Sequence, residues 1–177
     1  MTRFHRRRFL KTLAVASASL IARPRQALAA PARALGFRHL HTGETLSVEY
    51  AEGGRYLPDA LAAVDRLLRD FRTGEIHPID PGLLDLLHGL ARRLDTRQSF
   101  EIISGYRSPT TNAALRRRSE GVAAHSLHMV GQAVDVRVHG VPLTRLRSAA
   151  LDLKSGGVGY YPVSNFVHVD TGRVRQW

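Results

Sequence analysis

The 177-residue chain contains no cysteine. That absence excludes a disulfide framework and removes thiolates from the possible metal ligands and nucleophiles, so any metal must sit on His, Asp or Glu. Acidic residues are missing from positions 1–29, which carry seven Lys or Arg. The mostly apolar run over 13–22 is shorter than the about 20 residues a membrane-spanning helix needs, which argues against a stable anchor. There is no internal repeat, and no glycine-flanked nucleophile serine that would mark a strand-to-helix elbow. Ser126 is read as a loop-shaping hydroxyl.

The basic start, the apolar run and Ala27-Leu28-Ala29 together have the architecture of a signal peptide cleaved after Ala29. Within it, His5-Arg6-Arg7-Arg8-Phe9-Leu10-Lys11 resembles the twin-arginine export signal, which implies a periplasmic destination reached in the folded state. The expected organisation is therefore a signal over 1–29 and one domain over 30–177, with no stable membrane insertion once the signal is removed. The formal charge of +11 falls to +4 without the signal, because 19 basic residues then face 15 acidic ones. Apart from Arg116-Arg117-Arg118 the basic residues are scattered, and no nucleic-acid partner is expected. A monomer is expected.

Along the mature chain, 36–40 and 45–51 read as a hairpin around His41-Thr42-Gly43-Glu44. Leu61, Val64, Leu67, Leu68 and Phe71 recur at helical spacing, as do Leu83, Leu84, Leu87, Leu90 and Leu94 behind an Asp80-Pro81 start. Strands are expected over 100–104, 132–138, 157–161 and 165–170, and further helices over 109–118 and 142–153. The fold class is α+β, a mainly antiparallel sheet flanked by helices.

The chemistry concentrates in Ser126-Leu127-His128-Met129-Val130-Gly131-Gln132-Ala133-Val134-Asp135. Side chains alternate along a strand, so Val134, Val136 and Val138 share one face and Ala133, Asp135 and Arg137 the other. Small Ala133 and Gly131 leave room for the loop carrying His128 to fold back onto the Asp135 carboxylate. Phe166-Val167-His168-Val169-Asp170 repeats the pattern, with His168 facing away from its valines as a third ligand candidate. Two His and one carboxylate with an open position is a catalytic zinc set, with Zn–N distances of about 2.0–2.1 Å. His5, His39, His41, His77, His88 and His139 are read as ordinary surface or core histidines.

The run Ser-x-His-x-x-Gly-x-Ala-x-Asp with a later strand histidine resembles the zinc site of the M15 metallopeptidases, the D-alanyl-D-alanine peptidase and murein endopeptidase group. The match is closest to its exported murein endopeptidase K branch. Ser104-Gly105-Tyr106-Arg107-Ser108-Pro109 and the closing Gly156-Gly157-Val158-Gly159-Tyr160-Tyr161-Pro162 belong to the same resemblance, which covers about 35–177. It implies a Hedgehog/DD-peptidase-like fold, Zn2+ on His128, Asp135 and His168, and Arg107 near the substrate. Arg107 then either stabilises an oxyanion or pairs with a substrate carboxylate, and a salt bridge pinning its loop is the structural alternative. Several relatives carry Glu three residues, or His two residues, before the last histidine ligand, where this chain has Asn165 and Phe166. Asp170 is the first candidate to take the water's proton or to orient His168, and His125 is the reserve. Tyr160 and Tyr161 read as packing at a strand end.

The implied activity is zinc-dependent hydrolysis of peptide cross-links between peptidoglycan stem peptides. A D-alanyl-D-alanine carboxypeptidase and a non-catalytic wall-binding module on the same fold are the alternatives.

Overall fold

The computed structural model describes residues 30–119 and 121–177. The expected signal segment lies outside them. Among the described residues, no helix is long and apolar enough to cross a membrane.

Eight strands form one sheet: β1 (Arg33–His39), β2 (Thr45–Glu52), β3 (Arg55–Tyr56), β4 (Phe100–Ser104), β5 (Ala133–Val138), β6 (Gly157–Tyr161), β7 (Phe166–Asp170) and β8 (Arg175–Gln176). Their spatial order is β3-β2-β1-β4-β5-β7-β6-β8. The β1–β4 and β6–β8 pairs are parallel and the others antiparallel. The helices are α1 (Pro58–Leu67), α2 (Pro81–Leu94), α3 (Pro109–Arg116) and α4 (Leu143–Leu153).

Local chemistry explains most boundaries. Proline at the first helical position, whose missing N–H has no partner to lose, opens α1, α2 and α3. The Asp80 carboxylate caps α2 by accepting from Gly82 N at 2.8 Å, and the Ser108 hydroxyl caps α3 by accepting from Thr111 N at 3.2 Å. The leucine stripe of α2, Val64 and Leu67 of α1, Leu146 of α4 and the valines of β5 and β7 belong to one buried core, in which α4 lies against β5 and β7, α1 against β2, and α2 against β1 and α4. Each such side chain, fully buried, contributes about 1.5–3 kcal/mol over exposure.

Two expectations need correction. The apolar spacing carried α1 as far as Phe71, but the helix ends at Leu67. Asp70 turns the chain there: its carboxylate accepts from Arg72 N, and its backbone N–H bonds Glu75 O. Phe71 stacks instead on His41, with ring centroids 4.2 Å apart. The expected α3 likewise stops two residues short of Arg118. The short strands β3 and β8 were not foreseen, being two residues each with no periodicity to read.

With the helices covering the valine face of β5 and β7, Asp135, His168 and Asp170 fall on the other face. All three are nevertheless buried. A cavity of about 590 Å³ opens on that side, walled by the 121–128 loop, the β6–β7 turn and the C-terminal residues.

Candidate metal centre

Sheet register does the first part of the assembly. Asp135 and His168 are directly opposite in the β5–β7 pair, and Ala133 is opposite Asp170. A shift in the β4–β5 ladder between Ile102 and Ser104 puts Ser104, not Ile103, across from Asp135. Such a bulge re-aims the side chains that follow it, and here it turns the Ser104 hydroxyl toward the site.

His128 arrives on a short 3-10 turn, Leu127–Val130, that ends at Gly131 with φ of +68°. An added Cβ at Gly131 would sit 2.2 Å from the Pro78 carbonyl oxygen, so both the left-handed backbone and the close approach demand glycine. Asp80 N donates to Gly131 O and Arg107 N to His128 O, which ties the turn to the start of α2 and to the loop after β4.

The ring nitrogens are then fixed by their partners. Nδ1 of His128 lies 2.7 Å from the Gly105 carbonyl oxygen, an acceptor only, so it carries the proton and Nε2 offers its lone pair. Nε2 of His168 lies 3.0 Å from Asp170 Oδ2 and donates to it, leaving Nδ1 as the acceptor. These two lone pairs face each other at 3.2 Å, and Asp135 Oδ1 lies 3.2 Å from the first and 2.9 Å from the second. Three buried acceptors converging on one point call for a cation or a shared proton between them. Tetrahedral ligands at about 2.0–2.1 Å from zinc are about 3.3–3.4 Å apart, close to what these atoms show, so the donor set fits zinc.

The electrostatics agree with that use. Burial pushes the Asp135 carboxyl up, but His128, His168 and Arg107 outweigh it and hold the group well below the usual carboxylate range. Burial lowers His128 and keeps it neutral, while for His168 hydrogen bonding to, and attraction by, the carboxylates of Asp135 and Asp170 overcome burial and raise it. A site that attracts a proton at His168 attracts a metal cation by the same carboxylates.

The surrounding residues hold the three converging side chains. The guanidinium of Arg107 donates through Nη2 to Asp135 Oδ2 and through Nε to Ser104 Oγ at 2.9 Å. Asp135 therefore keeps only Oδ1 for the centre. Asp170 is fully buried, and its two oxygens accept from His168, both terminal nitrogens of Arg175, Gly157 N and Gly172 N. Five donors exceed the about four lone-pair sites of a carboxylate, so of the two roles considered for Asp170 the geometry suits orienting His168 and leaves no oxygen for a water. His125 is exposed on the cavity wall and is not one of the three converging side chains. Tyr161 stacks on Phe166 at 4.6 Å, and its hydroxyl accepts from Trp177 Nε1 at 2.7 Å.

Sequence reasoning missed three contributors. Trp177 packs on His168 with centroids 5.2 Å apart, in space left by Gly159, where a Cβ would lie 2.7 Å from the indole. Arg175 clamps Asp170. Asp70, 1% exposed, accepts from Ser108 N at 2.9 Å, Ser108 Oγ at 2.7 Å and Arg72 N at 3.0 Å, so it positions the loop that carries Arg107. Only the glycine spacing of the last motif hinted at the first two, and Asp70 carries no sequence signal at all.

Against known families, a model described as peptidoglycan L,D-endopeptidase MepK matches residues 27–177. The chain belongs to this family. A peptidoglycan L,D-endopeptidase MepK of Escherichia coli (strain K12) is 49% identical over 145 residues, 82% of this chain and 80% of that protein. The Shigella flexneri MepK shows the same identity and coverage. A Haemophilus influenzae MepK relative is 48% identical over 146 residues, 82% of this chain and 78% of its own length. No solved structure matches the chain. Membership in the MepK family accounts for the joint occurrence of the three motifs, each of which alone is weak.

Asp70 yields a prediction within this site. Burial raises its carboxyl, but hydrogen bonds from Thr111, Ser108 and Arg72 prevail and lower it to about 2. Asp70→Asn puts an N–H against these donors and is expected to cost about 2–3 kcal/mol, read by urea unfolding at pH 7, with activity falling as the Arg107 loop loosens. Because the folded-state value is depressed, the wild-type advantage is complete above the unfolded carboxylate value and disappears as pH falls through about 2. A stability difference that persists unchanged at pH 2 would contradict the assignment.

Proposed function

We propose that this chain is an exported zinc metallopeptidase that hydrolyses peptide cross-links of peptidoglycan, acting outside the inner membrane after residues 1–29 have directed it there by the twin-arginine route. The observation that carries the reading is the convergence of His128 Nε2, His168 Nδ1 and Asp135 Oδ1, all acceptors, beneath an open cavity. The peptidoglycan L,D-endopeptidase activity for which the MepK relatives are named supports the substrate class.

His128, Asp135 and His168 would hold the cation, which supplies Lewis acidity to a water and to the scissile carbonyl. Mn or Co suits the same donors, and zinc is the metal proposed. Asp170 orients His168, and Arg107 fixes Asp135 while its remaining N–H groups are available to a developing oxyanion. With Asp170 committed, His125 on the cavity wall becomes the candidate for proton transfer.

The test is digestion of purified cross-linked peptidoglycan by the mature protein, with and without chelator and zinc add-back, read by the masses of released muropeptides. Conversion of cross-linked dimers to monomers only with metal present is the expected result, and the product masses name the bond. Metal bound with no change in any muropeptide mass would replace catalysis by wall binding.

A further inference from the structure

Three arginines line the cavity: Arg72, Arg107 and Arg175. Two of them are ion-paired, Arg107 with Asp135 and Arg175 with Asp170, each partner being a buried carboxylate. Arg72 differs. Among the described residues its guanidinium forms no ion pair and no hydrogen bond, and only its backbone N–H is used, donating to Asp70 Oδ1 at 3.0 Å. The side chain is nonetheless held, because its guanidinium carbon lies 4.1 Å from the centroid of Phe71, which stacks in turn on His41. His41, Phe71 and Arg72 thus form a three-layer stack at the cavity edge.

Stacking fixes the plane of a guanidinium while leaving its N–H edges open, which is the arrangement that receives a carboxylate through two parallel hydrogen bonds. Asp70 couples this group to the centre, since the same carboxylate that holds Arg72 N holds Ser108, the neighbour of Arg107. Placing an unpaired positive charge within electrostatic reach of Arg107 has a cost, and partial burial together with Arg107 pulls Arg72 below its usual value against the pull of Asp70. An anionic ligand group relieves that repulsion.

Resting on the reading of this site as a peptidoglycan endopeptidase, we propose that Arg72 determines specificity by binding a free carboxylate of the cross-linked stem peptide next to the scissile amide. Chemistry supplies such a group in an L,D cross-link. The amide nitrogen sits on a D-configured amino-acid carbon that also bears a carboxyl, and where this residue ends a cross-linking side chain the carboxyl is free. The contact is made in the ground state and in the transition state alike, so it acts through KM.

The experiment is a cycle of two enzymes and two substrates: wild type and Arg72→Ala, each with a cross-linked muropeptide dimer carrying that carboxylate free or as the carboxamide. Metal content is measured alongside. Arg72→Ala is expected to lower kcat/KM about tenfold on the free acid, mainly through KM, amidation to cost wild type about tenfold, and the two losses together not to multiply. Arg72→Lys, which keeps charge but loses the fork, recovers part of the loss on the free acid. Losses that multiply, or a wild type indifferent to amidation, overturn the proposal while leaving the endopeptidase reading intact. A metal-loaded wild type that cleaves neither dimer overturns both.

Discussion

His128→Ala is expected to leave a folded protein that no longer retains metal through gel filtration and no longer releases muropeptides. The imidazole is 1% exposed and does two things at once: Nδ1 closes on Gly105 O, and Nε2 supplies one of three converging lone pairs. Apparent zinc affinities in sites built from protein ligands amount to about 10–16 kcal/mol. One of three protein ligands then stands for several kcal/mol, and affinity should fall by about three orders of magnitude, each tenfold being about 1.4 kcal/mol. Losing the Gly105 contact and the ring volume costs a further about 2–4 kcal/mol of stability, so circular dichroism and thermal unfolding belong beside the metal assay. His128→Asn separates the two jobs, because the amide can still donate to Gly105 from near the Nδ1 position but cannot reach the centre. Elemental analysis that finds one zinc per chain in either variant would remove His128 from the ligand set.

The convergence of His128, Asp135 and His168 was legible because each contribution to it is local. Alternation along β5 and β7 sends Asp135 and His168 to the face opposite the valines, and a positive-φ glycine after a short turn brings His128 back toward them. The hairpin, the α2 stripe and the proline and Asx starts of the helices were readable for the same reason. What escaped is long-range. Asp70 meets Ser108 across 38 positions, and its role depends on a turn that the apolar spacing through Phe71 concealed. The bulge that turns Ser104 toward Asp135 exists only in the pairing of two strands. The parallel contact of β1 with β4 joins segments separated by two helices, which no periodicity announces. The same distinction applies to Asp170: placement beside His168 could be read from the strand, but the Arg175 clamp and the two backbone donors that occupy its oxygens could not.

Arg107→Ala is the second large effect expected, and it separates holding the metal from using it. The guanidinium occupies Asp135 Oδ2 and Ser104 Oγ, so its removal leaves a buried carboxylate oxygen without a partner but leaves all three ligand atoms in place. Residues that orient a ligand typically change metal affinity or activity by about 10–100-fold when lost. The variant should therefore still bind zinc at micromolar concentrations, with affinity down by about that factor. If Arg107 only positions Asp135, saturating zinc restores turnover to within a few-fold of wild type. If its free N–H groups also meet the oxyanion of the tetrahedral intermediate, kcat stays down by about 10²–10³ at saturating zinc, the usual cost of losing one such donor. Arg107→Lys decides between the two, since an ammonium can pair with Asp135 yet cannot donate to Asp135, Ser104 and an oxyanion from one rigid plane. We expect the lysine variant to recover metal affinity and not kcat. Wild-type turnover in the alanine variant at saturating zinc would confine Arg107 to its loop, and the oxyanion would then have to be met by the cation alone.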